Sequence, residues 1–389
     1  MKKNLRRARE AVLFATAAVI AIAIAIAVTT LSPARATAAT YESDVSIDVA
    51  IALDVSGSMR GLIDAARLKL WEIVNDLSTA EPAPRLRVAL LTYGNQRGSA
   101  QSGWARIETD FTDDLDLVSE RLFALQSRGA DEYVGRVLKL ALQDLSWTGS
   151  PDALRLLFLA GNEEVDQDPL IDYRHLALDA PRGEIQLSAV FCGVEQAPAA
   201  AGWKEMAELA TGRFATIDHH SRTVLVKTPY DRELAELGDL LSETFIGLGD
   251  EGKSRKRTQL KQDANARRHG LAVAASRAVT KSGRFYSPQW DLATAYRAGE
   301  VDVYEVQGAD LPPVMRRMEI DERMYYLEDL LAVRAELEAR IGELGRARRG
   351  YVDEQMTARG IDSSRAFDNV VRQTIRQEAK MLGLTFGGK

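Results

Sequence analysis

The sequence predicts an α/β domain with a doubly wound, mostly parallel sheet, followed by an α-helical C-terminal domain. Apolar segments of strand length alternate with amphipathic helical segments from about residue 46 to 248. Several strands are apolar almost throughout, which is typical of parallel strands buried on both faces. Composition shifts at 249–252, and helical patterns follow. We therefore predict domains at 42–250 and 251–389, after an N-terminal segment 1–38.

Apolar periodicity sets the elements of the first domain. A short apolar run or alternation indicates a strand, and apolar residues three and four apart indicate a helix. The segment 104–109 closely follows the strand before it and fits an antiparallel edge hairpin. The predicted strands are 46–53, 86–92, 104–109, 154–159, 185–191 and 212–217, and the predicted helices are 59–77, 113–125, one ending at 145, 170–178, 203–210 and 233–245.

Composition excludes some classes of function. The chain has 389 residues and a formal net charge of −6. Without the first 38 residues, 44 basic and 55 acidic residues remain. Such an acidic chain is a poor candidate for general nucleic-acid binding, which depends on basic patches. The single cysteine, Cys192, excludes an internal disulfide and a cysteine metal cluster within the chain.

The N-terminal segment 1–38 has the pattern of an export signal. Basic residues at positions 2 to 9 precede an uncharged apolar run at 11–31, and small-x-small cleavage sites follow at 34–36 and 36–38. The apolar run is also long enough to span a bilayer. A cleaved signal peptide and an uncleaved membrane anchor both stay open. In either case we expect the body to be exported, to the periplasm or the extracellular space.

The most informative stretch is the polar turn after the first strand. The apolar run Val49–Leu53 ends in Asp54, and Ser56 and Ser58 follow at alternate positions before a helix. One carboxylate and two hydroxyls within five residues suit a small hard cation, which prefers oxygen ligands. Helix N-capping is the alternative role for the serines. Capping does not explain why a carboxylate ends the strand.

With Asp54-x-Ser56-x-Ser58 at this place in an α/β fold, residues 42–250 resemble a von Willebrand factor A-type domain. The resemblance implies a metal-ion-dependent adhesion site that holds Mg²⁺, with Mn²⁺ or Ca²⁺ as alternatives. It implies that Ser56 and Ser58 bind the metal directly and that Asp54 acts through water or a bound hydroxyl. It also implies a protein partner, which can place an acidic residue on the metal.

The second and third loops depart from the family pattern. The second reads Gly129-Ala130-Asp131, so Asp131 stands near the threonine of the family. The third reads Ala160-Gly161-Asn162-Glu163, where the family usually has Thr-Asp-Gly. Asp131, Asn162 and Glu163 are therefore candidate ligands. If both acids reach the ion, more of its charge is met internally, and it either has a structural role or binds a partner less strongly. For Asp131 and Glu132, helix N-terminal acids are the alternative.

No catalytic motif is apparent, and the sequence predicts a protein without enzymatic activity. A serine hydrolase is a weak alternative, suggested by Ser56 with His219 and His220 after Asp218. It would require a G-x-S-x-G elbow, and residue 54 is an aspartate instead of a glycine.

The pattern of apolar residues in the C-terminal region 251–389 predicts a helical hairpin or short coiled coil. Leu330, Leu337 and Leu344 are spaced seven residues apart in a long helix, while Arg334 and Arg348 interrupt the neighbouring seam. A second helix, capped by Asp362 and starting at about Ser363, is predicted to pack antiparallel on the first across the turn at Gly360. A self-contained helical domain, self-association and docking on the first domain stay open.

Two functions follow from these observations. The first is an exported adhesion or assembly module that uses the metal site. The second is a structural component of an envelope complex, with a vestigial metal site and the helical region as its main contact.

Overall fold

The computed structural model describes residues 45–96, 99–127, 129, 131–217, 225–286, 288–360 and 366–386. These residues form two units. The sheet unit contains the described residues up to 226 together with 354–386, and the helical unit contains residues 227–353. The predicted export signal at 1–38 lies outside the described residues.

The elements of the described residues are as follows. The strands are β1 Ser46–Asp54, β2 Ala80–Glu81, β3 Arg85–Tyr93, β4 Arg106–Thr112, β5 Ala153–Gly161, β6 Ile185–Cys192, β7 Arg213–Ile217 and β8 Thr385–Phe386. The helices are α1 Arg60–Leu77, α2 Leu115–Ala124, α3 Val134–Gln143, α4 Tyr173–Asp179, α5 Ala200–Leu209, α6 Asp231–Glu243, α7 Gly249–His269, α8 Leu271–Lys281, α9 Leu292–Ala298, α10 Ile320–Ala358 and α11 Phe367–Met381.

The sheet unit is built on six strands in the order β4-β3-β1-β5-β6-β7. All neighbouring pairs are parallel except β3 and β4, which are antiparallel. This is a doubly wound order, in which β3 and β4 are added on one side of β1 and β5, β6 and β7 on the other. The predicted fold class and the predicted antiparallel edge strand are confirmed. The short β2 pairs with β8 in a separate two-stranded sheet.

Helices cover both faces of the sheet. Along β1, Ala50 and Ala52 pack in a core that includes Trp203 of α5. Ile51 and Leu53 alternate with them and line a small cavity on the other face, together with side chains of α1 and α11. Because both faces are covered, β1 is buried from its second residue to its end. A strand buried on both faces reads as a continuous apolar run.

The last helix, α11, packs against α1 in the sheet unit. The predicted packing on the preceding helix is therefore wrong for α11, and docking on the first domain, which the sequence left open, is what the structure shows. The apolar face of α11 is buried, and Arg376 forms two hydrogen bonds of 2.7 and 2.5 Å with the Asp76 carboxylate at the end of α1. Periodicity shows that a helix buries one face but does not identify what covers that face. The predicted cap, Asp362, lies outside the described residues.

The helical unit is held together by the leucine seam of α10. Leu337 and Leu344 pack with Leu234 and Leu241 of α6 in one core, and Leu330 belongs to a second core around α9. The predicted seven-residue spacing therefore describes the interior of this unit.

The two arginines that interrupt the seam are buried and paired. Arg334 Nη1 lies 2.9 Å from the Asp291 carboxylate, and Arg348 Nε lies 2.9 Å from that of Asp231. Arg334 also stacks on the Phe245 ring, 4.2 Å from its centroid. A buried charge is tolerated when it is paired and hydrogen-bonded, so these positions remain part of the core.

Among the described residues, no helix combines the length and the apolar character needed to cross a membrane.

Candidate metal centre

The centre is built on the turn after β1, at the carboxyl edge of the sheet. Because β3 and β5 flank β1, this turn lies where the strand order reverses, which is where α/β sheets form binding crevices. Asp54 is fully buried, and its Oδ1 accepts a 2.7 Å hydrogen bond from the Ser56 backbone N–H. The Val55 N–H donates to the Tyr93 carbonyl at 3.0 Å. These bonds fix the turn and the carboxylate together.

The two serine hydroxyls of the turn point toward each other. The Oγ atoms of Ser56 and Ser58 lie 3.1 Å apart, and Ser58 Oγ donates to Asn162 Oδ1 at 3.3 Å. Ser56 is buried and Ser58 is exposed. The Ser127 hydroxyl donates to the Ser56 carbonyl at 2.6 Å, which ties the second loop to the turn. The structure thus brings two hydroxyls and an amide oxygen together beside Asp54.

Helix capping does not account for these serines. Ser56 precedes the 3₁₀ turn Gly57–Met59 but makes no capping hydrogen bond with its side chain. The residue before α1 is Met59, which has no capping side chain. Neither serine hydroxyl therefore caps a helix.

Glu132 from the second loop lies beside Asp54. Between them is Gly94, whose φ is +72°. A Cβ on Gly94 would stand 2.9 Å from Asp54 Oδ1, 3.0 Å from Glu132 Cγ and 3.5 Å from Ser56 Cβ. The absence of a side chain at Gly94 lets the three groups close around it. The sequence predicts Asp131 as the ligand from this loop, with helix N-terminal acids as the alternative for both Asp131 and Glu132.

Asp131, the ligand that the sequence predicts from the same loop, forms hydrogen bonds elsewhere. Its exposed carboxylate accepts hydrogen bonds from Trp104 Nε1 at 3.4 Å and from the Tyr133 hydroxyl at 3.2 Å. The structure therefore brings Glu132, and not Asp131, next to Asp54.

The third loop contributes Asn162 at the centre and Glu163 at its exposed rim. Tyr93 donates its hydroxyl to the Ala160 carbonyl at 3.0 Å, and Trp203 Nε1 donates to the Glu163 carbonyl at 2.7 Å. A Cβ on Gly161 would lie 2.1 Å from the Tyr93 hydroxyl oxygen. This crowding excludes a side chain at position 161.

The charged forms of the two acids of the centre are disfavoured. Burial raises the pKa of Asp54 well above its ordinary value, and the charge of Glu132 adds to this effect. Burial also raises the pKa of Glu132, helped by the negative charge of Glu163, although the neighbouring side chains of Asp54 and Ser56 oppose it. Two carboxylates that are taken out of water beside each other cannot both ionise cheaply.

The residues present fit a divalent cation. Within the described part of the chain, Asp54 Oδ2 and Glu132 Oε2 are buried and have no hydrogen-bond partner. A buried unpaired oxygen is costly, and a cation between the two acids would satisfy both. Among the described residues, no group of three or more His, Cys, Asp or Glu side chains is arranged to hold a metal. A cation here would therefore depend on the serine and asparagine oxygens as well.

The hydrolase alternative gains no support from this geometry. The Ser56 hydroxyl faces the Ser58 hydroxyl and the acids of the centre. His219 and His220 lie outside the described residues.

No family profile matches the chain, and no curated protein matches it in sequence. Solved structures are similar in part. Proximal thread matrix protein 1 from the mussel byssus, with a zinc-occupied MIDAS motif, is 14% identical, with a TM-score of 0.34. The match covers 44% of this chain and 41% of the mussel chain, so this chain spans less than half of that protein.

Two further solved structures are similar over the same share of this chain. The SpRpn10 VWA domain is 13% identical, with a TM-score of 0.33, and 87% of it is covered. An aerotolerance-related membrane protein from Bacteroides fragilis is 16% identical, with a TM-score of 0.30, and 92% of it is covered. Each match covers 44% of this chain. The sheet order, seen directly, is the doubly wound, mostly parallel order that the sequence predicts, and the D-x-S-x-S turn stands at the end of β1, as in the resemblance to a von Willebrand factor A-type domain.

Proposed function

We propose that the protein is an exported, non-enzymatic protein-interaction module that uses a divalent cation at the edge of its sheet. The observation that carries this proposal is the pair of buried, unpartnered oxygens of Asp54 and Glu132 beside two serine hydroxyls. The residue pattern of 1–38 supports export.

Each residue has a distinct role at the centre. Asp54 and Glu132 supply negative charge, while Ser56, Ser58 and Asn162 supply neutral oxygens. Mg²⁺ is the expected ion, with Mn²⁺ or Ca²⁺ as alternatives, because all five groups are hard oxygen donors. When bound, the cation offers a Lewis-acidic contact for an oxygen of the partner protein. Asp131 and Glu163 remain at the periphery.

Titration calorimetry of the full-length chain with Mn²⁺ and Mg²⁺ tests the site. We expect saturable binding to the wild type, none to an Asp54→Ala Ser56→Ala double variant, and weakening by at least about tenfold in Glu132→Gln, because that variant loses one of two charges. Asp131→Asn is the matched control and should bind as the wild type does. Identical heats for the wild type and the double variant would contradict the metal site.

Capture of partners from an envelope extract, with and without EDTA, tests the interaction role. Partner binding that is lost with EDTA and restored by Mg²⁺ supports a metal-dependent interaction. Binding unaffected by EDTA would assign the interaction to another surface.

A further inference from the structure

The charge inside the centre differs from that of a site built from hydroxyls. Asp54 and Glu132 together carry two negative charges when both are ionised, which equals the charge of one divalent cation. Asp54 is fully buried, and its Oδ2 has no partner among the described atoms, so it is free to face an ion. A cation held by this pair is already neutralised by the protein.

The rim of the centre adds further negative charge. Glu163 is exposed on the third loop, and its carboxylate acts electrostatically on Glu132 and on the Tyr93 hydroxyl. This charge adds to the negative potential that an anion bound at the ion would experience. A neutral oxygen donor would not be repelled.

We propose that the cation takes a neutral oxygen from the partner protein, such as a backbone carbonyl, side-chain amide or hydroxyl, and discriminates against a carboxylate. This inference rests on the proposed function, because it requires the metal. A carboxylate would leave a net negative charge in a poorly solvated site, where Coulomb energies are large. Glu132 is thus a specificity-determining residue for the partner's ligand.

The test uses Mn²⁺ bound to the full-length chain, with water-proton relaxation as the measure of water molecules on the ion. Acetate is the carboxylate probe and N-methylacetamide is the neutral probe, and each is titrated until it displaces water. We compare the wild type with Glu132→Gln and Glu132→Thr, and Asp131→Asn serves as the control with a nearby charge removed.

We expect acetate to bind the Mn²⁺ of both Glu132 variants at least about tenfold more tightly than that of the wild type, since one repelling charge is removed. N-methylacetamide should bind all forms alike, and Asp131→Asn should behave as the wild type. If the Glu132 variants do not bind Mn²⁺, the two probes are compared on the wild type alone. Equal displacement of water by acetate and N-methylacetamide would then overturn the inference, and weaker displacement by acetate would support it.

The possible failures are distinguishable. If the wild type does not bind Mn²⁺, the metal site of the proposed function is wrong. If the wild type binds Mn²⁺ and acetate displaces water as readily as in Glu132→Gln, the metal site stands and the discrimination against carboxylates is wrong.

Discussion

At the scale of single residues, Gly94 allows Asp54, Ser56 and Glu132 to meet. Its φ of +72° disfavours any other residue, and so does the distance of only 2.9 Å that would separate a Cβ at this position from Asp54 Oδ1. We expect Gly94→Ala to lower the free energy of unfolding by about 1–3 kcal/mol, from backbone strain and the clash. It should also weaken Mn²⁺ binding. Urea unfolding and calorimetry measure the two effects.

Gly57→Ala is the matched control for Gly94→Ala. Gly57 lies in the turn after β1, between the two serines. It has no atom within 4 Å of a Cβ position and does not have the positive φ of Gly94. If the two variants unfold at the same urea concentration, the strain assigned to Gly94 is wrong.

Lys256 in α7 gives the helical unit a dependence on pH. Burial, helped by the charge of Lys281, lowers its pKa from 10.5 to about 8, although Asp263 opposes the shift. Its ammonium donates to the Ser242 carbonyl and to Gln259 Oε1. Between pH 8 and 10.5 the unfolded chain holds this proton and the folded chain releases it, so stability rises with pH in that window.

We expect this rise to be about 1–3 kcal/mol. Urea unfolding at a series of pH values measures it, and the difference between the wild type and Lys256→Met removes the effect of other titrating groups. A pH dependence that is unchanged in Lys256→Met would contradict the assignment.

The choice between Asp131 and Glu132 shows what the sequence could and could not predict about the centre. That Asp54, Ser56 and Ser58 come together was predictable, because all three fall in one turn whose geometry follows from its own residues. Asn162 was predictable because it follows β5 directly. Which acid of the second loop lies beside Asp54 was not predictable. The directions of these two side chains depend on Gly94, which follows β3, and on the contacts of Asp131 with Trp104 and Tyr133.

At the scale of elements, α11 is part of the fold of the sheet unit. Val371 and Ile375 are fully buried, and the helix packs on α1. We expect Ile375→Ala to lower the free energy of unfolding of the sheet unit by about 2–4 kcal/mol, because a buried side chain is replaced by a cavity. Met381→Ala, at a side chain 82% exposed on the same helix, should change it little. Thermal and urea unfolding measure both, and equal stabilities would contradict this packing.

The strands and helices themselves were largely predictable from the sequence, since the spacing of apolar residues depends on which face of each element is buried. The elements that pack against each helix were less predictable. The seam of α10 suggests a coiled coil until the buried pairs of Arg334 with Asp291 and Arg348 with Asp231 are seen. Those partners lie 43 and 117 residues away along the chain, beyond any local pattern.

At the scale of the whole molecule, the two structural units are not two consecutive segments of the chain. The last helix and β8 belong with the sheet, whereas α6, which sequence periodicity placed in the first domain, packs along α8 in the helical unit. A protein cut at residue 250 would therefore lose α11 from the face of α1 and would keep α6 without α8. Loss of partner binding by such a fragment would not by itself assign binding to the helical unit.

A shorter deletion separates these effects. Removal of residues 359–389 takes away α11 and β8 and leaves the helical unit whole. We expect hydrogen exchange to accelerate in α1 and in the central strands β1 and β5, because α11 packs against α1 and β5. Exchange in residues 327–344 of α10 should stay slow, since that core is made by α6, α8 and α9.

Mn²⁺ added to the intact chain should slow exchange in β1 and leave α10 unchanged, because a ligand stabilises the unit that binds it. Unchanged exchange in β1 after the deletion would show that α11 is dispensable for the stability of the sheet.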